Sequence, residues 1–191
     1  MGADHGKVLD VCAAPGGKSV YLAQNKNIEV YACDIHKHRV ELIKKYAESV
    51  GVNIKTCVQD ATLKVDKWCG QFDFVMCDVP CSNIGVSRKK PDVFLNKTQA
   101  DMKTLAGIQY KILENSANYV KPRGILQYST CTILKEENQK VIERFLANHK
   151  DFELTPIEFG GINIHNDKNM YTFYSNLTGT EGFFIGRLRR K

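Results

Sequence analysis

Apolar residues follow two rhythms along this chain. Short unbroken apolar runs, closed by Gly, Pro or Asp, alternate with stretches where apolar residues recur at helical spacing. The runs Lys7–Cys12, Glu29–Asp34, Ile54–Gln59, Phe72–Asp78 and Gly124–Ser129 predict buried strands. Between them, Lys18–Gln24 predicts a helix start. His38–Val50 predicts an amphipathic helix with Val40, Ile43, Ala47 and Val50 on one face and Gly51 as its C-cap. Thr98–Val120 predicts a long helix stopped before Pro122, and Lys135–His149 another, with Glu136, Glu137 and Asn138 suited to its first turn. Met170–Tyr174 and Gly182–Arg187 close the chain as two strands with no helix between them, an antiparallel hairpin. The alternation predicts an α/β domain spanning 1–191, a doubly wound, mostly parallel sheet. Pro80–Asn96 is a polar loop too long for a plain connection, and such loops often carry function.

Composition narrows the class. The 191 residues are 43% hydrophobic and 25% charged, close to globular averages, with no apolar stretch long enough to cross a membrane. The first residues carry no charged-then-apolar signal pattern, so a cytoplasmic location and no membrane partner are expected. Seven cysteines, an odd number without a Cys-x-x-Cys pair, argue against both a disulfide framework and a zinc ribbon, so no metal is expected. A net charge of +6 is compatible with a polyanionic partner. Arg88-Lys89-Lys90 and Arg187–Lys191 concentrate that charge, although such runs are as readily solvated surface.

Ligands of open α/β sheets bind beyond the carboxyl ends of the strands. The first such edge is Cys12-Ala13-Ala14-Pro15-Gly16-Gly17-Lys18. A phosphate loop would need Gly where Cys12 stands, and a dinucleotide fingerprint would need G-x-G-x-x-G; neither is present. A bare turn and an S-adenosylmethionine loop both remain open. Asp34 ends the second strand, where an acid accepts hydrogen bonds from ribose hydroxyls, and Asp60 ends the third, within reach of an adenine amine. Each alone is commonly a turn residue; two acids at successive strand ends after a glycine loop favour a nucleoside pocket.

The fourth strand runs out into Cys77-Asp78-Val79-Pro80-Cys81-Ser82, and the fifth into Tyr128-Ser129-Thr130-Cys131-Thr132. If these strands are neighbours, Asp78, Cys81 and Cys131 converge. Carbon 5 of cytosine is a poor nucleophile until a thiolate adds to carbon 6 and breaks the aromaticity. The arrangement suits that chemistry, with Asp78 placed to hold the N3 and amine edge of the base. Methylation of an exocyclic amine commonly uses an Asn/Asp-Pro-Pro-aromatic loop, and Asp78-Val79-Pro80-Cys81 lacks its second Pro and its aromatic.

Leu9–Lys18, Asp78–Ser82, Ser129–Thr132 and the ending Glu181–Leu188 together resemble the RsmB/Nop/Sun family of RNA cytosine-C5 methyltransferases, in order and over nearly the whole chain. The resemblance implies a Rossmann-like class I methyltransferase fold with seven strands. It implies S-adenosyl-L-methionine as cofactor, with Cys12, Ala13, Ala14, Pro15, Gly16, Gly17, Lys18, Asp34, Asp60 and Asp78 around it, Cys12 through its backbone alone. It further implies Cys131 as nucleophile and Cys81 as the second cysteine, which resolves the covalent adduct. In the DNA enzymes the Cys of a Pro-Cys motif attacks instead, and here that would be Cys81. The partner implied is RNA, foremost 16S rRNA and alternatively tRNA, with a monomer expected. Val79 stands where Ala is usual and Asn83 where Gly or Ala is frequent; neither removes a chemical group. The family carries an N-terminal RNA-binding region, whereas this chain starts close to its first strand, so an isolated catalytic core is expected. An RNA-binding scaffold or inactive fragment of the same fold, and a nicotinamide oxidoreductase, are the competing readings.

Overall fold

Val8 and Leu9 are fully buried, and the strand that carries them has partners on both sides, which is why its sequence is an unbroken apolar run rather than an alternating one. The structure is a computed structural model that describes residues 5–94, 99–162 and 164–191. Asn96 and Thr98, the expected ends of the loop and start of the long helix, lie outside these residues. The chain divides into two units, one comprising 1–78, 115–126 and 190, the other 79–114, 127–189 and 191.

In the first unit, β1 (Gly6–Asp10), α1 (Gly17–Ala23), β2 (Ile28–Asp34), α2 (Lys37–Val50), β3 (Lys55–Val58) and β4 (Phe72–Asp78) follow one another. The strand order is β3-β2-β1-β4, and β1 pairs in parallel with β2 and β4, with Val8 opposite Val30 and Phe74. Val8, Leu22, Ile28, Val30, Phe74 and Met76 form one core cluster, and Ala13, Ala32 and Ile43 a second beneath α2. Gly51 closes α2 at φ 74, the left-handed cap its position predicts. Asn115, at the end of α3 (Gln99–Ala117), donates to the carbonyls of Ala61 and Leu63 and so holds the turn after β3.

Strand β5 (Val120–Thr130) begins in the first unit, earlier than the expected Gly124, and continues into the second. There α4 (Gln139–Asn148), β6 (Phe152–Leu154), β7 (His165–Asp167), β8 (Met170–Phe173), α5 (Ser175–Thr178) and β9 (Phe183–Arg190) complete the fold. The order is β5-β9-β8-β7, with β6 also pairing β9. The two closing strands are antiparallel as expected, with Met170 opposite Gly186, but the one-turn α5 stands between them where no helix was expected. Short β6 and β7 raise the described strands to nine against the expected seven; each has three residues, too few for a periodic signal. A Cβ on Gly186 would stand 2.4 Å from Ile142 Cδ1, so glycine there admits the buried Ile142 of α4. The helix α4 starts later than expected, because Glu137 and Asn138 turn inward, fully buried, instead of opening its first turn.

Candidate active site

The glycine loop leaves β1 after Asp10 and is shaped by main-chain bonds. Val11 N–H donates to the Met76 carbonyl at 3.1 Å, Ala13 N–H to Cys33 at 2.8 Å and Gly16 N–H to Ala13 at 2.8 Å. Gly16 has φ 110, and a Cβ there would lie 3.3 Å from Ile43, so the loop passes close over α2 in a conformation that favours glycine. Gly17 opens α1 with nothing within 4 Å of where its Cβ would be, which leaves its backbone accessible. Cys12 is half-buried, and its thiol is pushed well up by burial beside Cys77 and Asp10, which makes it a poor nucleophile.

Both strand-end acids stand where the sequence places them. Asp34 is 3% exposed; it accepts the His36 N–H at 3.1 Å and pairs with Arg39 Nη1 at 3.3 Å. Arg39 Nη2 donates to the Ala14 carbonyl at 3.1 Å, so one guanidinium ties the glycine loop to Asp34. Sequence reasoning missed Arg39, which looks like any polar residue of α2. Gln59 N–H donates to the Asp34 carbonyl at 3.0 Å and draws the ends of β2 and β3 together. Half-buried Asp60 takes both the N–H and the hydroxyl of Thr62 on Oδ1, at 2.9 and 2.7 Å. Lys18 and Asp78 meet at 2.6 Å, an ion pair joining the loop to the end of β4. Beneath it, Asp10 accepts the Ser19 hydroxyl at 2.7 Å; burial pushes its carboxyl up to about 7, with nearby Asp78 adding to the rise.

Asp34 and Asp60 thus keep acceptor capacity, since a carboxylate offers about four lone-pair directions. A loop without bulky side chains at Ala13, Gly16 and Gly17, with acids at three strand ends, fits a nucleoside carrying an amino-acid tail.

In the second unit, the Cys81 and Cys131 sulfurs stand 3.1 Å apart. Cys81 is 6% exposed, whereas Cys131 is more open. The Cys81 thiol is pushed far up by its contact with Cys131 and then by burial, so Cys81 holds its proton, and either sulfur can donate to the other. The Asn83 Oδ1 accepts from Cys131 at 2.8 Å and from Cys81 at 3.6 Å. Asn83 is therefore more than the inert departure that sequence comparison suggests.

The two cysteine loops are clamped together by buried side chains. Val79 N–H donates to Ser129 O at 3.1 Å. The Ser82 hydroxyl donates to that of Thr132 at 2.9 Å, and the Ser82 N–H to Glu137 Oε2 at 2.9 Å. Gln109 Nε2 bridges Glu137 Oε2 and the Pro80 carbonyl, at 2.8 and 2.9 Å. Asn138 accepts from the Thr130 hydroxyl at 2.6 Å and donates to the Thr132 carbonyl at 2.9 Å. Gly85 and Gly182 lie back to back, with Gly85 N–H on the Cys131 carbonyl at 3.0 Å. Ser82, Thr132 and Gly182 lie in the segments that carry the family resemblance, but their supporting contacts were not expected; Glu137 and Asn138 read as helix-start residues, and Gln109 and Gly85 carried no signal.

The two basic clusters differ. Arg88, Lys89 and Lys90 are exposed. Arg187 to Arg190 belong instead to β9, where Arg187 is half-buried and Arg190 donates to the Val120 carbonyl at 2.8 Å, so this segment is not a free basic tail. Among the described residues no group of His, Cys, Asp or Glu is arranged to hold a metal, and no helix is long and apolar enough to cross a membrane.

A family model described as 16S rRNA methyltransferase RsmB/F matches residues 2–189. The chain is 40% identical over 201 residues to the probable ribosomal RNA small subunit methyltransferase B of Bacillus subtilis, covering 96% of this chain and 43% of that protein. It is 33% identical to ribosomal RNA small subunit methyltransferase B of Pasteurella multocida, over 96% of this chain and 42% of that protein. The chain thus spans less than half the length of these relatives. The crystal structure of PH0851 superposes with a TM-score of 0.91 at 31% identity, over 97% of this chain and 42% of that one. NSun6 from Pyrococcus horikoshii with SFG superposes with a TM-score of 0.81 at 28% identity, over 98% and 48%.

Proposed function

We propose that this chain, which belongs to the RsmB/F family of 16S rRNA methyltransferases, transfers a methyl group from S-adenosylmethionine to carbon 5 of a cytosine in RNA through a covalent bond to Cys131. The observation that carries the proposal is the thiol pair, a half-open Cys131 whose sulfur lies 3.1 Å from a buried Cys81 that holds its proton.

S-adenosylmethionine supplies an electrophilic methyl group when bound. The glycine loop offers it backbone, Asp34 and Asp60 offer acceptors to its nucleoside, and Lys18 keeps Asp78 anchored beside it. Arg39 is a positioning residue, fixing Asp34 relative to Ala14. Asp78 and Cys81 are separated by Val79 and Pro80 alone, so the chain itself keeps their Cα atoms within about 11 Å.

Cys131, as thiolate, forms a bond to carbon 6 and makes carbon 5 nucleophilic. Once carbon 5 carries the methyl group, its proton must leave and the carbon–sulfur bond must break. We assign this release to Cys81: its thiol gives a proton to the departing Cys131 sulfur, and the thiolate left behind takes the proton from carbon 5. Counting from a resting thiol, the Cys131 proton passes to solvent when the thiolate forms; the carbon 5 proton then restores it by way of Cys81, which ends as it began.

The substrate we favour is small-subunit rRNA rather than tRNA, because the named relatives act on the former. Exposed Arg88, Lys89 and Lys90 are assigned to the RNA backbone, and the protein is assigned to the cytoplasm as a monomer. The test is transfer of labelled methyl from S-adenosylmethionine to small-subunit rRNA and to tRNA, followed by digestion to nucleosides. Label in 5-methylcytidine from rRNA supports the reading. Label on an exocyclic amine overturns the chemistry, and label from tRNA alone overturns the substrate.

A further inference from the structure

Asn83 has φ 63 and ψ 16, in the left-handed region where glycine is most at ease and Asn is among the few tolerated residues. A polar side chain kept there is held by something, and its Oδ1 lies 2.8 Å from the Cys131 sulfur and 3.6 Å from that of Cys81. The loop around it is anchored to Cys131 itself. Gly85 N–H bonds the Cys131 carbonyl at 3.0 Å, Gly182 N–H bonds the Gly85 carbonyl at 2.8 Å, and Val86 N–H bonds the Asn83 carbonyl at 3.0 Å. A Cβ on Gly85 would lie 2.7 Å from the Cys131 oxygen, so the two segments touch backbone to backbone. The backbone that carries the amide is therefore held beside the thiol, and the exposed side chain reaches the sulfur at 2.8 Å.

We propose that Asn83 is a further catalytic residue of this protein, whose side-chain carbonyl aims the Cys131 thiol and holds it protonated until the target base is bound. The inference rests on Cys131 being the nucleophile. An acceptor on a thiol proton stabilises the neutral form and disfavours the thiolate. It also fixes the direction of the sulfur, which a free rotor about the Cα–Cβ bond would not. A protonated resting thiol is also a poorer target for outside electrophiles and oxidants while the site is empty.

The experiment is the pH profile of Cys131 alkylation by iodoacetamide, resolved from the other six cysteines by peptide mass mapping, in the protein without RNA or cofactor. Asn83→Gly removes the amide and suits the local φ, so it keeps the fold. Its Cys131 is expected to alkylate about fivefold faster at pH 7, the equivalent of one ordinary hydrogen bond lost from the neutral thiol, with the profile displaced to lower pH. Asn83→Asp, which places a carboxylate beside the sulfur, is expected to move the profile the other way. An unchanged profile in Asn83→Gly overturns the proposal. So does a slower reaction at pH 7, which would mean that the amide presents its NH₂ to a thiolate. Neither variant needs methyl transfer to be read, so a protein that fails to methylate cytosine still reveals what Asn83 does to the thiol, and a working methyltransferase with an unchanged profile refutes Asn83 alone.

Discussion

The glycine loop and the thiol loops both lie at carboxyl ends of strands, but they are held by different means. The glycine loop takes its shape from main-chain bonds to Met76 and Cys33 and from the left-handed Gly16; Ala13 packs in the core and Lys18 pairs with Asp78, while Gly17 faces open space. The thiol loops are locked by buried side chains, with Glu137, Gln109, Ser82, Thr132 and Asn138 joined in one network. A loop that receives a ligand against its backbone must leave room. On the proposed chemistry, the two thiols, 3.1 Å apart, must stay in register through a bond-making and a bond-breaking step.

The sharpest way to break this contrast is one methyl group placed in each region. Gly85→Ala puts a Cβ 2.3 Å from the Gly182 carbonyl and should cost about 3 kcal/mol or more of stability, whereas Gly17→Ala meets nothing and should be neutral or slightly stabilising. Thermal unfolding of both variants checks this, and equal losses would mean that the thiol loops are no tighter than the glycine loop. Next, Glu137→Ala strips the Ser82 N–H and Gln109 of their shared acceptor, both bonds being to a carboxylate, and should cost about 2–4 kcal/mol in denaturant unfolding. Glu137→Gln should recover part of that.

In the glycine region the effects belong to binding. Asp34→Ala should weaken S-adenosylmethionine by about 1–3 kcal/mol in calorimetry, and Arg39→Ala, acting through Asp34, by less. Unchanged affinity in Asp34→Ala would remove Asp34 from the ribose role. The smallest effect is a pH slope. Asp10 keeps its proton in the folded state up to about 7 but loses it near 3.8 when unfolded. Between those values the folded state binds more protons, so stability should fall as pH rises, by at most about 1.4 kcal/mol per unit. Asp10→Asn should flatten that slope, and an identical slope in the variant would show that other groups set it.

The same contrast explains what was legible in the sequence. Asp34, Asp60 and Asp78 were visible because strands end where apolar runs end, and parallel strands bring their ends to one edge. Gly16 and Gly17 were visible because glycine marks backbone that must bend or be approached. The pairing of Cys81 with Cys131 followed from two adjacent strand ends. Its scaffolding did not, because buried polar networks have no period: Gln109 and Glu137 come from separate elements and look, in sequence, like solvent-facing residues of helices. The contacts of Arg39 and Asn83 escaped for a related reason, as only the folded chain creates them. The basic run at the chain's end misled, since alternation within β9 sends Leu188 inward and draws Arg187 partly with the sheet.

Which thiol attacks decides the mechanism, and trapped protein–RNA adducts measure that directly. Cys131→Ala and Cys81→Ala proteins, incubated with S-adenosylmethionine and small-subunit rRNA, are resolved by denaturing electrophoresis alongside the parent. Cys131→Ala should form no adduct and transfer no methyl group, while still binding S-adenosylmethionine, because the cofactor residues belong to other strands. Cys81→Ala should let Cys131 attack and the methyl group move, then fail at release, so that adduct accumulates. Adduct in Cys131→Ala and none in Cys81→Ala would reverse the two roles and contradict the assignment of Cys131 as nucleophile.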